Sequence, residues 1–264
     1  MGLWGTTMIN YDILLDNLVF LQNQFSAAKP FRYLIFEGFL ETTVAESILA
    51  TFPTPEEMKI KNNKGSRKLY LRDLCKLNPA VKGLYHEFAS ERFLNALAQV
   101  AGIPDLRADP HLEGAGLHQG ANGSFLNIHA DFNVHDTLQM HRRLNLLIYF
   151  NKDWEEAYGG YLEIWDKNLK ICKMIKPCFN RCVLMETTET TYHGYLKLNV
   201  PADVTRKSLA AYLYTPTRPA EEIVPPHSTL WKKRPEKYAV EIIDAVLSPS
   251  HIGDAESRFG LSSI

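Results

Sequence analysis

The chain has 264 residues, 29 Lys and Arg against 30 Asp and Glu, and 45% hydrophobic residues. That length can bury a sizeable core, and the composition excludes intrinsic disorder, collagen-like repeats and coiled coil. The formal net charge of −1 argues against nucleic-acid or anionic-membrane partners, because phosphate binding needs a clear excess of Lys and Arg.

No apolar run approaches the ~20 residues that span a bilayer. The first twenty residues carry Asp12 and Asp16 and no Lys or Arg, so no secretory signal is expected, and Met8 is an alternative start after a ragged leader. Cys75, Cys172, Cys178 and Cys182 form no CxxC pair. Reduced thiols in a cytoplasmic protein are the expectation.

Residues 9–25 place Ile13, Leu14, Leu18, Leu21 and Phe25 at helical spacing. The run FRYLIFEGF (31–39) predicts a strand leading into a loop. Thr42 or Thr43 can cap a helix to about Thr51, with Glu46 completing a capping box, and Pro53 and Pro55 end it. Residues 53–68 are polar and predict an exposed loop. Asn78-Pro79 predicts a helix start, with helix continuing, broken near Ser90, to Gly102.

After Gly102 short apolar runs alternate with turn residues at 111–118, 124–130, 143–150, 161–165, 170–176, 182–186, 192–196 and 207–214. Eight short strands at that spacing predict a double-sheet jelly roll or barrel. A helix over about 238–247 and a Ser-rich tail follow. No repeat or linker is visible. The expected organisation is one α+β domain over 1–264: a helical N-terminal layer (about 1–104), a jelly-roll core (about 105–218) and a C-terminal extension (219–264).

The strand SFLNIHAD puts His129 and Asp131 two residues apart, so both side chains point to one face. An imidazole and a carboxylate side by side can take two corners of a metal's coordination sphere. Alone, such a pair is better explained by a satisfied His beside a solvated Asp. Sixty-two residues after Asp131, His193 is followed by Gly194; Arg206 comes thirteen residues later, with Ser208 on the same strand face. Two His and one carboxylate form the facial triad of non-haem Fe(II) oxygenases. A keto acid chelating such a metal would need a fixed cation for its far carboxylate, and arginine's planar fork suits that task.

These motifs resemble the Fe(II)/2-oxoglutarate dioxygenases, specifically their prolyl 4-hydroxylase-like branch, over roughly residues 105–218. The resemblance rests on His129-x-Asp131, RRLNLLIYFNKDW (142–154), Gly159-Gly160 leading into YLEIWD, KPCFNRCVLMET (176–187), His193-Gly194 and Arg206-x-Ser208. It implies a double-stranded β-helix with iron at one mouth. It also implies oxidative decarboxylation of 2-oxoglutarate to succinate and CO2, coupled to hydroxylation of an unactivated C–H bond. Fe(II), 2-oxoglutarate and O2 are the implied cofactors, with ascorbate as a stimulant. His129, Asp131 and His193 would bind iron, and Arg206, helped by Ser208, would hold the C5 carboxylate of 2-oxoglutarate. The halogenases on this scaffold have Gly or Ala where this chain has Asp131, so hydroxylation is expected.

Asn145 lies in an otherwise apolar strand and is read either as a 2-oxoglutarate ligand or as a partner of core backbone groups. Tyr149, on the same face, is read as core. His135 and His141 are read as solvated loop histidines, and His227 as stabilising a C-terminal turn. Glu113, on the strand before the His129 strand, is either solvent-facing or the receiver of a substrate amine. Arg142 or Arg143 would meet a substrate carboxylate or simply be solvated. Trp231 is read as core, or as a wall over the substrate. These residues together point to a small amino-acid substrate, a cationic or aliphatic one being favoured. The alternatives are a peptidyl or protein prolyl hydroxylase, a non-catalytic jelly-roll binding protein, and a zinc hydrolase, which would leave Arg206 unexplained. The oligomeric state is not legible.

Overall fold

The computed structural model describes residues 7–243. Five α-helices precede most of the strands: α1 (Asp12–Leu15), α2 (Leu18–Ala27), α3 (Thr42–Ala50), α4 (Pro79–Phe88) and α5 (Glu91–Ala101). The single helix expected over 9–25 is two, because Asn17 takes the non-helical angles φ −135, ψ 42. The capping box expected at Thr43 does not form: α3 begins at Thr42 after Glu41, with no side-chain cap. Further on, Asn78 accepts the Val81 N–H at 2.8 Å and Ser90 accepts that of Phe93 at 3.2 Å, so the break near Ser90 is a fresh N-cap. Gly102 closes α5 in the left-handed region.

The strands are β1 (Tyr33–Glu37), β2 (Lys59–Asn62), β3 (Ser66–Leu71), β4 (Arg107–Ala108), β5 (Gly116–Gly120), β6 (Phe125–Ala130) and β7 (His141–Tyr149). Then come β8 (Leu162–Trp165), β9 (Ile171–Ile175), β10 (Arg181–Glu186), β11 (Tyr192–Tyr195), β12 (Arg206–Thr215), β13 (Leu230–Trp231) and β14 (Ala239–Ile242). They pair in the order β1-β10-β7-β12-β5-β3-β6-β11-β8-β9-β14, with β2, β4 and β13 attached at the sides. Curled on itself, this sheet is the double-stranded β-helix. One layer is built on β10-β7-β12-β5 and the other on β6-β11-β8, with β3 joining them.

Period-two alternation divides the core. Phe36, Leu146, Ile148, Leu184 and Leu209 pack on the helices in the main hydrophobic cluster. Their neighbours Ile35, Tyr149, Val183 and Met185 point the other way, toward Leu162, Ile164 and Ile175 of the second layer. The site lies on that inner side.

Two expected elements differ. The polar stretch at 53–68 holds most of the β2–β3 hairpin rather than a free loop, with Lys61 opposite Lys68. Its polarity hid it, because no apolar alternation marks a strand pair whose side chains meet water and a charged cavity. In place of a helix at 238–247, β14 pairs in parallel with β9. The free edge of β9 offers backbone hydrogen bonds that the β-branched Val240 and Ile242 take up in extended form. Residues 244–247 lie outside the described part.

Asn180 ties the turn before β10 to the segment that leads into α3. Its side-chain oxygen accepts the Leu40 N–H at 2.9 Å and its amide donates to the Leu40 carbonyl at 2.7 Å. Its own φ is +58, a region that Asn tolerates better than Ala. Asn180→Ala would strand two buried backbone groups. Urea unfolding should show a loss of about 2–4 kcal/mol; a loss under about 0.5 kcal/mol would contradict this assignment.

Candidate metal centre and its cavity

β6 and β11 pair so that His193 lies directly opposite His129, with ring centroids 4.3 Å apart. Asp131 follows just past the end of β6. Its two oxygens face one imidazole each, 3.4 Å from His129 Nε2 and 3.7 Å from His193 Nε2. Ligand atoms of the three residues lie within 4.8 Å of one another, and no other such group exists among the described residues.

Each imidazole is held at its far nitrogen. His129 Nδ1 is 2.9 Å from the Asn127 carbonyl and His193 Nδ1 is 3.1 Å from that of Thr191. A carbonyl only accepts, so Nδ1 carries the proton and Nε2 keeps its lone pair toward the cavity. Burial, and then the neighbouring His129, push His193 down to about 4, so it stays neutral. Burial alone would raise Asp131; Arg142, His193 and His129 outweigh it and hold the carboxyl well below the usual range. Two neutral imidazoles and one ionised carboxylate on a single face are a donor set that fits Fe(II).

Gly194 is required where it stands. A Cβ there would meet the Leu126 carbonyl oxygen at 2.6 Å and that of Asn127 at 3.0 Å. Only glycine lets β11 approach β6 closely enough to set the two histidines face to face.

Arg206 begins β12 on the same inner surface. Its Nε donates to the Gly160 carbonyl at 2.7 Å, and its guanidinium lies between Tyr149 at 4.9 Å and Tyr195 at 4.4 Å. Its Nη groups have no protein acceptor among the described residues. The Tyr149 hydroxyl beside it is buried without a partner. Ser208 lines the same cavity. A cation, a hydroxyl pair and two aromatic walls make a receptor for a carboxylate. Tyr149 is therefore not the plain core residue its setting suggested; its spacing of four from Asn145 is the signal that puts both on the inner face.

Asn145 donates through Nδ2 to Asp131 at 3.3 Å, and its Oδ1 is buried without a donor. Its amide steadies the carboxylate instead of pairing with backbone. Arg142 is fully buried, 3.3 Å from Asp131, with its guanidinium over Tyr212 at 3.4 Å and Phe132 at 4.2 Å. None of its three nitrogens makes a hydrogen bond. Strict alternation would have put Arg143 beside Asn145. A bulge sets Leu213 opposite Leu144 and Tyr214 opposite Arg142, so Arg143 is the extra residue and the faces exchange. Arg143 instead reaches Glu222 at 3.4 Å.

Glu113 lies in a turn before β5, not on the strand expected, because the Asp109 carboxylate accepts the N–H groups of His111 and Glu113 and folds the chain there. His135, expected to be solvated, is fully buried: Nε2 is 3.1 Å from Asp109, and Nδ1 accepts from Thr137 and Leu138. Glu113 Oε2 stands 3.1 Å from that same Nδ1. Its carboxylate also lines the cavity. Trp231 is 42% exposed and its ring lies 5.0 Å from that of His129, so it is a wall and not core. The reason is local: β13 pairs with β6 at Trp231 and His129, and the segment before it is pinned by Asn133, which bonds Pro225 and His227. The His227 side chain, expected to stabilise a turn, lies with Nδ1 2.8 Å from the Ser228 carbonyl in a stretch that forms no turn.

The triad cavity has a volume of about 280 Å³ and adjoins an outer chamber of about 490 Å³; Arg72 and Glu113 belong to both. His118, a histidine that flanks the triad in sequence, also lines the inner cavity, with Lys61 and Lys68, which the sequence did not single out. Lys68 Nζ is 3.4 Å from His118 Nε2. Burial, and then Lys61, push Lys68 down to about 7. No helix among the described residues is long and apolar enough to cross a membrane.

Residues 115–214 match the model of the 2OG-Fe(II) oxygenase superfamily. No curated protein matches the chain in sequence. Among solved structures, a prolyl-4-hydroxylase of Pseudomonas putida aligns with TM-score 0.56 and 16% identity, covering 75% of this chain and 98% of the other. A prolyl 4-hydroxylase of Phytophthora capsici aligns with TM-score 0.55 and 18% identity, covering 81% and 70%. A prolyl hydroxylase of Trichoplax adhaerens, solved with a hypoxia inducible factor peptide fragment, aligns with TM-score 0.52 and 14% identity, covering 75% and 88%. At such identities these are likenesses of fold. The superfamily match over β5–β12 and the His129, Asp131 and His193 group in the cavity identify residues 115–214 as a 2OG-Fe(II) oxygenase domain, whose chemistry is that of a dioxygenase working with Fe(II), 2-oxoglutarate and O2.

Proposed function

We propose that the chain hydroxylates a small amino-acid-type substrate, releasing succinate and CO2. The observation that carries the substrate reading is Arg142. A guanidinium with no hydrogen bond, buried beside Asp131, is costly unless a ligand completes it. A substrate carboxylate offers the two parallel acceptors that its fork is shaped to take. Glu113, whose carboxylate lines the same cavity, suits an ammonium. An inner cavity of about 280 Å³, shared with a keto acid, leaves room for a small zwitterion.

In this reading His129, Asp131 and His193 hold the iron. With 2-oxoglutarate and O2 the iron supplies the oxidising chemistry; the chain supplies position and shelter. Arg206, with Ser208 and Tyr149, grips the distal carboxylate of 2-oxoglutarate. Asn145 and Arg142 fix the Asp131 carboxylate so that it does not swing between partners. Trp231 covers His129 and limits entry of water. Arg142 and Glu113, on separate elements, fix the substrate at both ends, so one C–H bond is presented.

A second reading, a prolyl peptide hydroxylase, has one observation in its favour. The outer chamber continues the site past Arg72 and Glu113, giving a longer chain somewhere to lie. A succinate-release assay with free amino acids and with proline-containing peptides separates the two. The proposal expects a free amino acid to stimulate release most; turnover of a prolyl peptide, with every free amino acid silent, would transfer the assignment.

The residue roles give two further expectations. His129→Ala and His193→Ala should each abolish stoichiometric Fe(II) binding in anaerobic equilibrium dialysis, while circular dichroism stays native; retained 1:1 binding would refute the ligand set. Arg206→Ala removes one partner of a partly buried charge pair, which costs about 2–5 kcal/mol. The KM for 2-oxoglutarate should rise at least tenfold with Fe(II) binding intact. An unchanged KM would place the anchor elsewhere.

A further inference from the structure

The charge of the inner cavity narrows the substrate further, given the amino-acid reading above. Five Lys and Arg residues line it, against only two carboxylates, Asp131 and Glu113. In the loaded site the two positive charges of Fe(II) are cancelled by the two carboxylates of 2-oxoglutarate. Two positive charges remain over, and Lys68 adds a third once an anion beside it holds it protonated. Imidazoles carry no negative charge and so do not offset this surplus, and burial keeps His118 neutral.

Arg142 and Arg206 already have their tasks. The other three cations come from the β2–β3 hairpin and the residue just past it: Lys61, Lys68 and Arg72. No carboxylate pairs with any of them among the described residues. Lys68 is the innermost by its surroundings. Its one hydrogen-bond neighbour is the neutral His118, so a half-buried ammonium stands without a counter-ion. Its depressed pKa is the measure of that cost, and an anion beside it would reverse the sign of its surroundings.

The surplus is local. The outer chamber has three cations and four carboxylates among its lining residues, so it is close to balanced. A ligand with an extra negative charge is therefore drawn past Glu113 into the inner cavity, and one with an extra positive charge is held outside it. This reverses the sequence-based preference for a cationic or aliphatic side chain.

We propose that the substrate is an acidic amino acid: its α-carboxylate is held by Arg142, its ammonium by Glu113, and its anionic side-chain group by Lys68 with Lys61 and Arg72. That anionic group is a carboxylate or a phosphate, which this cluster would receive through the same contacts.

Calorimetric titration of the anaerobic holoenzyme, loaded with Fe(II) and saturated with 2-oxoglutarate, tests this directly. Saturation keeps an acidic ligand from binding in the keto-acid site. Aspartate, glutamate and O-phosphoserine are compared with asparagine, glutamine and serine. At least one acidic ligand should bind ten or more times tighter than its neutral counterpart, and the tightest acid shows whether the group is carboxylate or phosphate. Lys68→Met should reduce that preference to threefold or less, and Lys68→Arg should restore it, which a merely structural role for Lys68 would not do. Equal or tighter binding of the neutral counterparts would overturn the proposal, as would binding by none of the six. In that last case, prolyl peptides with Glu or Gln beside the proline locate the error. A peptide that binds shows that the amino-acid reading failed, and a Glu preference within the pair shows that the charge argument survives it.

Discussion

The site depends on one register. β6 and β11 are paired so that His129 and His193, sixty-four positions apart, become direct cross-strand neighbours. A slip of one residue would turn either imidazole to the opposite face of the sheet and leave no metal site at all. Several features defend that register. Gly194 permits a backbone approach that any side chain would block. Each histidine also uses the same local device: its Nδ1 is bonded to the carbonyl two residues earlier, so the strand geometry that places the ring also sets its tautomer. Trp231 then packs on His129 from β13, across the other edge of β6.

Given that register, the electrostatics centre on Asp131. A carboxylate in this cavity would resist ionisation if burial acted alone. Arg142 keeps it ionised, and Asn145 donates to the same oxygen. Arg142 reaches that place only because a bulge in β7 exchanges the faces of Arg142 and Arg143. The site thus contains more cationic character than its metal ligands need. Arg206 has spare donors, Arg142 makes no hydrogen bond, and Lys68 has no counter-ion. These groups are unfinished in the protein by itself, and one keto acid and one anionic substrate would complete them.

The eight core strands were legible because each is apolar, short and bounded by turn residues; the observed β6–β12 fall on the expected stretches, whereas β5 begins at Gly116, later than the expected 111–118. The grouping of His129, Asp131 and His193 with Arg206 around one cavity was legible through spacing together with a family resemblance; the His129-Asp131 pair alone would not have decided it. What was hidden has identifiable causes. The β2–β3 hairpin is polar on both faces, so period-two patterning gave no signal. Tyr149 and Trp231 looked like core because large aromatics usually are, and only the tertiary fold shows the orphaned hydroxyl of one and the half-exposed ring of the other. The Arg142–Arg143 exchange depends on a bulge, which no periodicity reports. His135 looked solvated because its neighbours in sequence are polar, whereas Asp109 and two backbone N–H groups satisfy it in the interior.

The central claim is that this register builds an Fe(II) and 2-oxoglutarate site from His129, Asp131, His193 and Arg206. Anomalous diffraction at the iron edge, from crystals grown anaerobically with Fe(II) and 2-oxoglutarate, tests it most directly. The account predicts one iron peak, within bonding distance of His129 Nε2, His193 Nε2 and an Asp131 oxygen, with the distal carboxylate of the keto acid on Arg206 and Tyr149. Iron bound elsewhere, or a keto acid whose distal carboxylate lies on Arg142, would contradict it.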